Sequence, residues 1–158
     1  MVSLLALFMG GVAGLRAMMA PALVTWAAAL GWLDLSGSYL SFLSSNWAVL
    51  ILTILAVLEL VTDQLPNTPS RKVPQQFITR LVTGGVAGAA IGIPHDLWLA
   101  GLVSGVLGAA VGTYGGAWAR AKLAESFGKD PPAAFIEDAV AFVLAFIIIL
   151  LLPGAPAV

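Results

Sequence analysis

The chain has no cysteine among its 158 residues, which excludes disulfides, thiolate metal centres and cysteine nucleophiles. Histidine occurs once, at His95, so an imidazole-built metal site is not expected, although sites built from oxygen ligands stay open. Charge is scarce too: Asp, Glu, Lys and Arg make up 9% of the chain, where a soluble domain carries roughly a quarter. The seven basic residues are scattered and the net charge is −1, so no phosphate-tracking patch forms and nucleic acid is not an expected partner. No nucleotide-binding loop, nucleophile elbow or zinc motif occurs, and no cofactor is implied.

What the chain does contain is apolar. Hydrophobic residues make up 60% and the mean hydropathy is +1.01, which predicts an integral membrane protein whose first partner is the lipid bilayer. The N-terminus is apolar from Met1, lacks a basic n-region and runs on past a normal signal core, so it reads as a retained span. Apolar stretches at about 3–30, 47–62, 76–93, 97–118 and 133–152 predict an all-α polytopic bundle, a single transmembrane domain over 1–158. The first stretch would be ~42 Å long as a straight helix against a ~30 Å hydrocarbon core. Gly10, Gly11, Gly14 and Pro21 put a break or kink near Arg16 to Pro21. The Ser-rich "LDLSGSYLSFLSSN" that follows reads as a loop with an interfacial turn around Tyr39 and Phe42. Asp130 and Pro131 suit the N-cap and first helical position of the last span.

Arg71 and Lys72 fall between the second and third stretches, and Arg120, Lys122 and Lys129 between the fourth and fifth. These loops are expected on the cytoplasmic side, which gives five spans with the N-terminus inside and the C-terminus outside. A re-entrant pair of half-helices in the first stretch would instead move the N-terminus outside. Trp26, Trp32, Trp47, Trp98 and Trp118 fall mostly near span ends and read as interface anchors. His95 beside Asp96 reads as a solvated turn, and "PSR" at 69–71 as a short turn.

Glycine is spaced rather than scattered: Gly84, Gly88 and Gly92 in one stretch, Gly101, Gly105, Gly108 and Gly112 in the next. Such seams let helix backbones approach closely, either within the chain or across a homo-oligomer interface. "GGVAGLRA" and "GTYGGAWARA" echo one another in segments expected to run in opposite directions, a hint of an inverted repeat.

A lone arginine at bilayer depth needs protein, water or a partner around it, so Arg16 asks for carboxylates. Glu59 and Asp63 lie four apart on one helical face, Arg80 enters the next segment at similar depth, Arg120 closes the fourth, and Glu137 and Asp138 open the fifth. These three arginines and four carboxylates leave one acid in excess. The favoured function is a small transporter or channel, with Glu59 and Asp63 binding a small cation or proton, Arg16 and Arg80 as counter-ions, and Glu137 and Asp138 as a second acidic station. One alternative is a membrane enzyme or binding protein in which Arg16, Arg80 and Arg120 converge on a lipid phosphate or other anion. The other is a structural scaffold.

"GLRAMMAPA", the Glu59 and Asp63 pair followed by "LPNTPSR", "GTYGGAWAR" and the "ED" at 137–138 together resemble the bacterial membrane family catalogued as domain of unknown function 4126. The resemblance spans nearly the whole chain and implies a small multi-pass protein of the bacterial inner membrane; it implies no activity. It also implies a basic residue where this chain has Gln64, so a salt bridge at that position is not carried over.

Overall fold

A computed structural model describes residues 1–63 and 71–154, and among them every regular element is helical. Six α-helices follow in order: α1 (Val2–Leu15), α2 (Met19–Ala29), α3 (Asn46–Thr62), α4 (Pro74–Gly92), α5 (Trp98–Phe127) and α6 (Asp130–Leu150). Short 3-10 turns stand at Ser41–Ser44 and Ile93–His95. Gln64 and most of the turn expected at 69–71 lie outside the described residues. Three helices, α4 extended through His95, α5 and α6, are long and apolar enough to cross a membrane, and α1, α2 and α3 are shorter apolar helices. The chain is an all-α membrane bundle.

The first apolar stretch is two helices. Arg16 is extended (φ −137°, ψ 109°), and the helix restarts at Met19. Pro21 therefore sits in the first turn of α2, beyond the break, where a missing N–H costs no helical hydrogen bond. At 14 and 11 residues, α1 and α2 reach only ~21 and ~17 Å.

Close approaches fix how the helices run. A Cβ added to Gly14 would lie 2.5 Å from the Ala109 oxygen, and one added to Gly10 would strike Gly105, so α1 and α5 run in the same sense. Gly84 meets Gly105 while Gly88 meets Gly101, so α4 runs against α5. Gly116 faces Glu137 and Arg120 reaches Asp130, so α6 also runs against α5. Arg16, just before α2, binds Asp138, and Trp32, just after α2, backs onto Gly154, so α2 runs with α6 and against α1.

The chain thus reverses at residues 16–18, and the first segment is the re-entrant pair rather than a single kinked span. Met1 and the end of α6 lie at one end of the bundle, which replaces the five-span arrangement with termini on opposite sides. All seven Lys and Arg residues gather at the other, basic end. The inverted-repeat hint fails for the same reason, since α1 and α5 share a direction.

Burial is inverted relative to a soluble domain. Ala6, Ala13, Ala87, Ala90, Ala141 and Ala145 are fully buried, while Leu50 and Ile54 of α3, Leu107 and Val111 of α5, and Phe142 and Phe146 of α6 face outward. The glycine seams work within the chain. Gly101 and Gly105 pack on Gly84 and Gly88, Gly108 and Gly112 pack on Leu7 and Gly11 of α1, and Gly92 lies against Leu97. A homo-oligomer would have to use the outward apolar faces, because these seams are filled. Two ends also move: α5 continues to Phe127 rather than stopping near 118, and α6 begins at Asp130, so Lys129 holds the N-cap position expected for Asp130.

Candidate functional site

The break between α1 and α2 is the centre of an ionic network. Once Arg16 leaves the helix, the backbone N–H groups of Ala17 and Met18 have no helical acceptor, and the start of α2 carries the positive end of its dipole. Glu59 of α3 answers both needs. Its Oε1 accepts from Ala17 N at 2.7 Å and its Oε2 from Met18 N at 2.8 Å.

Arg16 has no exposed surface and turns its guanidinium to acids from two other helices. It pairs with Asp63 at the end of α3 and with Asp138 of α6 through both Nε and Nη2, and Glu137 Oε2 lies 3.8 Å from Nη2. The question raised by a buried arginine is answered by carboxylates, as its insertion cost requires.

Glu137 holds a second cation. Arg71, immediately before α4, makes a two-bond fork onto it, Nη1 to Oε1 at 2.5 Å and Nη2 to Oε2 at 2.6 Å. Arg120 bridges the remainder: it donates to Asp130 Oδ1 at 2.9 Å and Oδ2 at 2.5 Å, to Glu137 Oε2 at 3.4 Å, and to the backbone oxygen of Asp63 at 3.3 Å. Arg120 lies inside α5 rather than closing it, so its side chain works within the bundle.

Arg80 has the fewest partners of the four arginines, a single ion pair, although Arg16 Nη1 and Nη2 also lie against carboxylates without hydrogen-bond geometry. It is 2% exposed, its Nη1 is 3.8 Å from Glu59 Oε1, and neither Nε nor Nη1 has a hydrogen-bond acceptor among the described residues. A separation of 3.8 Å is an ion pair without a hydrogen bond, so this guanidinium is less satisfied than burial normally demands.

All seven charged residues singled out in the sequence therefore enter one connected cluster. Two members were missed there. Arg71 was read as a loop charge and Asp130 as a cap, yet both are fully engaged. A signal for Arg71 exists at Gly116: a Cβ there would lie 3.1 Å from both Arg71 Nη1 and Glu137 Oε1, so the glycine makes room for the fork. With these additions the cluster has four arginines (Arg16, Arg71, Arg80, Arg120) and five acids (Glu59, Asp63, Asp130, Glu137, Asp138); Asp130 is the exposed member, so the largely buried part balances at four arginines and four acids. Glu59 and Asp63 share a helix face but have separate partners, backbone N–H groups for one and Arg16 for the other. Among the described residues no group of three Asp, Glu, His or Cys is arranged to hold a metal.

The opposite end has none of this. A cavity of about 600 Å³ lies there under the loop at 36–40, with Val86, Ile93, Trp98 and Leu102 in its wall. His95 is exposed in its turn, and Asp34 caps a turn through the Ser36 hydroxyl at 2.6 Å and N–H at 2.9 Å. Those bonds, the hydroxyl first, hold the Asp34 carboxyl below its ordinary pKa.

No curated protein and no solved structure matches the chain. The profile of one family, described as Domain of unknown function (DUF4126), matches residues 4–156, and the chain belongs to that family.

Proposed function

We propose that this membrane protein is a small carrier that couples a proton to the movement of a small solute. The observation that supports it is the placing of the network: it ties the tip of a re-entrant helix pair to α3, α4, α5 and α6 through buried charges. Discontinuous helices whose ends meet charged groups inside the bilayer recur at transporter binding sites, and buried ionisable groups there mark proton and ion paths. The largely buried part of the network is neutral, four arginines against Glu59, Asp63, Glu137 and Asp138, so a charged solute enters it without a net buried charge only together with a compensating ion such as a proton. The partners already held by Glu59 and Asp63 favour a proton over a metal ion between them.

The reading puts the protein in the bacterial cytoplasmic membrane with its basic end toward the cytoplasm. A lipid-phosphate enzyme is less well supported, because Arg16 and Arg120 are taken up by the carboxylates of Asp63, Asp130, Glu137 and Asp138 rather than converging with Arg80. A pure scaffold gives no reason for the unsatisfied donors of Arg80.

The test is flux in liposomes containing the purified chain and an internal pH-sensitive dye, across a panel of small cations and small organic anions. A solute gradient is expected to drive proton movement in the wild type, and Glu59→Gln and Asp63→Asn are each expected to abolish it while the protein stays folded. No movement with any member of the panel, or wild-type flux in both variants, would remove the carrier reading.

A further inference from the structure

The start of α2 is built as an anion site, and Glu59 fills it from within the protein. Its two oxygens chelate two consecutive backbone N–H groups at 2.7 and 2.8 Å, the way any planar carboxylate would sit on the first turn of a helix. Glu59 is tethered to α3, however, and from that anchor its Oε1 stays 3.8 Å from Arg80 Nη1, an ion pair without a hydrogen bond. Arg80 is buried and leaves Nε and Nη1 without acceptors among the described residues. An untethered carboxylate of the same shape could accept from Ala17 and Met18 and close onto Arg80 as well.

We propose that this is the substrate site of the carrier: it binds a small monocarboxylate, which takes the place of Glu59 when Glu59 is protonated. The proposal rests on the carrier reading and names its solute.

Charge balance sets the coupling. Glu59 faces Arg80 from α4 and the Ala17 and Met18 N–H groups at the break; Asp63 of its own helix and Asp138 and Glu137 of α6 lie on Arg16, and Arg71 and Arg120 lie on Glu137. Asp130 on Arg120 is exposed, and the largely buried set of four arginines and four acids sums to zero. An added anion would leave one net negative charge in a buried site. If Glu59 takes up one proton as the anion enters, the sum is unchanged. No bond other than O–H of Glu59 forms or breaks, and the transported pair, one proton and one monoanion, is electrically neutral. A single guanidinium with two adjacent N–H groups suits a monoanion better than a doubly charged phosphate.

The test follows the Ala17 and Met18 amide resonances of the full chain in detergent micelles while acetate is titrated at about pH 5.5 and about pH 8. Both resonances are expected to shift saturably at the lower pH, with apparent affinity at least about tenfold weaker at the higher. In Glu59→Gln the affinity should no longer depend on pH, and in Arg80→Gln it should fall about tenfold at the lower pH. Glu59→Ala provides a second readout: acetate should raise its unfolding temperature where equal chloride does not. Absence of a saturable acetate shift in the wild type overturns the proposal, as does equal affinity at both pH values. A response to inorganic phosphate, or to phosphatidylglycerol added to the micelles, in preference to acetate overturns it equally. Acetate binding without liposome flux would leave the site and remove the carrier; flux without an acetate response would leave the carrier and remove this site.

Discussion

Two kinds of close packing hold this bundle together, and they meet along α1. On one side, α1, α4 and α5 touch through glycine, with backbone against backbone and nothing between. On the other, Arg16 at the end of α1 meets Asp63 at the end of α3 and Asp138 of α6, and further ion pairs join α4 to α3 and α5 to α6. Dispersion at a bare seam is short-ranged and has one best geometry, so it makes a rigid unit. Ion pairs inside a low-dielectric region are strong only while every charge keeps its partner, so a single proton can rearrange them. The seam reads as the frame and the network as the part that responds.

Arg16→Ala attacks the responsive part most severely. It leaves Asp63 and Asp138 without their cation, and a loss of about 3–5 kcal/mol, the usual cost of breaking a buried pair, should appear as a collapse in yield and unfolding temperature in detergent. Wild-type stability in that variant would mean that the charges are solvated rather than paired.

The frame has its own internal control. Gly108→Leu places a side chain where the Gly11 nitrogen lies only 2.9 Å from the new Cβ, and should cost at least about 1–3 kcal/mol by overpacking. Gly115→Leu, on the same helix with open space at its Cβ, should leave thermal unfolding unchanged or slightly raised. Equal effects at the two positions would deny that the seam is what packs α1 on α5.

A finer probe lies at the border of the two regions. Arg71→Gln and Glu137→Gln remove the two halves of one fork, and a double-mutant cycle on unfolding free energy should return a coupling of about 1–3 kcal/mol. Additive losses would make Arg71 a surface charge after all. The smallest effect belongs to the far end. Because Asp34 has a lowered pKa, its turn is stabilised above the ordinary carboxylate range, and that contribution disappears as pH falls through the lowered value. Ser36→Ala should raise the Asp34 midpoint, read by NMR titration, with no change at the basic end.

The frame was largely legible in the sequence because small residues at helical spacing have few other uses in an apolar helix. Gly84, Gly88, Gly101 and Gly105 announced a close contact, although not that both sides of it lay in one chain. The network was partly legible. Arg16 demanded acids, and Glu59, Asp63, Glu137 and Asp138 were the acids within bilayer depth. Arg71 escaped because a cation beside prolines reads as a loop residue until the fold shows Gly116 opening a place for it. The hairpin stood only as the alternative to a single span, because a break in an apolar run fixes where the chain leaves the helix but not where it goes next. Direction is decided by which seam α1 fits, and that is a property of α5.

The natural absence of cysteine makes the contrast directly measurable. Ala17→Cys at the break and Thr113→Cys in the α1–α5 contact are both buried positions, and Ser38→Cys and Ser126→Cys mark the two ends of the bundle. In liposomes, a membrane-impermeant thiol reagent applied to the side that labels Ser126→Cys should also label Ala17→Cys, at a rate that rises relative to that of Ser126→Cys as pH falls and drops when acetate is present. Thr113→Cys should stay unlabelled from either side. If Ala17→Cys proves as inert as Thr113→Cys at every pH, the network is a sealed part of the frame and the distinction drawn between the two halves of the molecule is wrong.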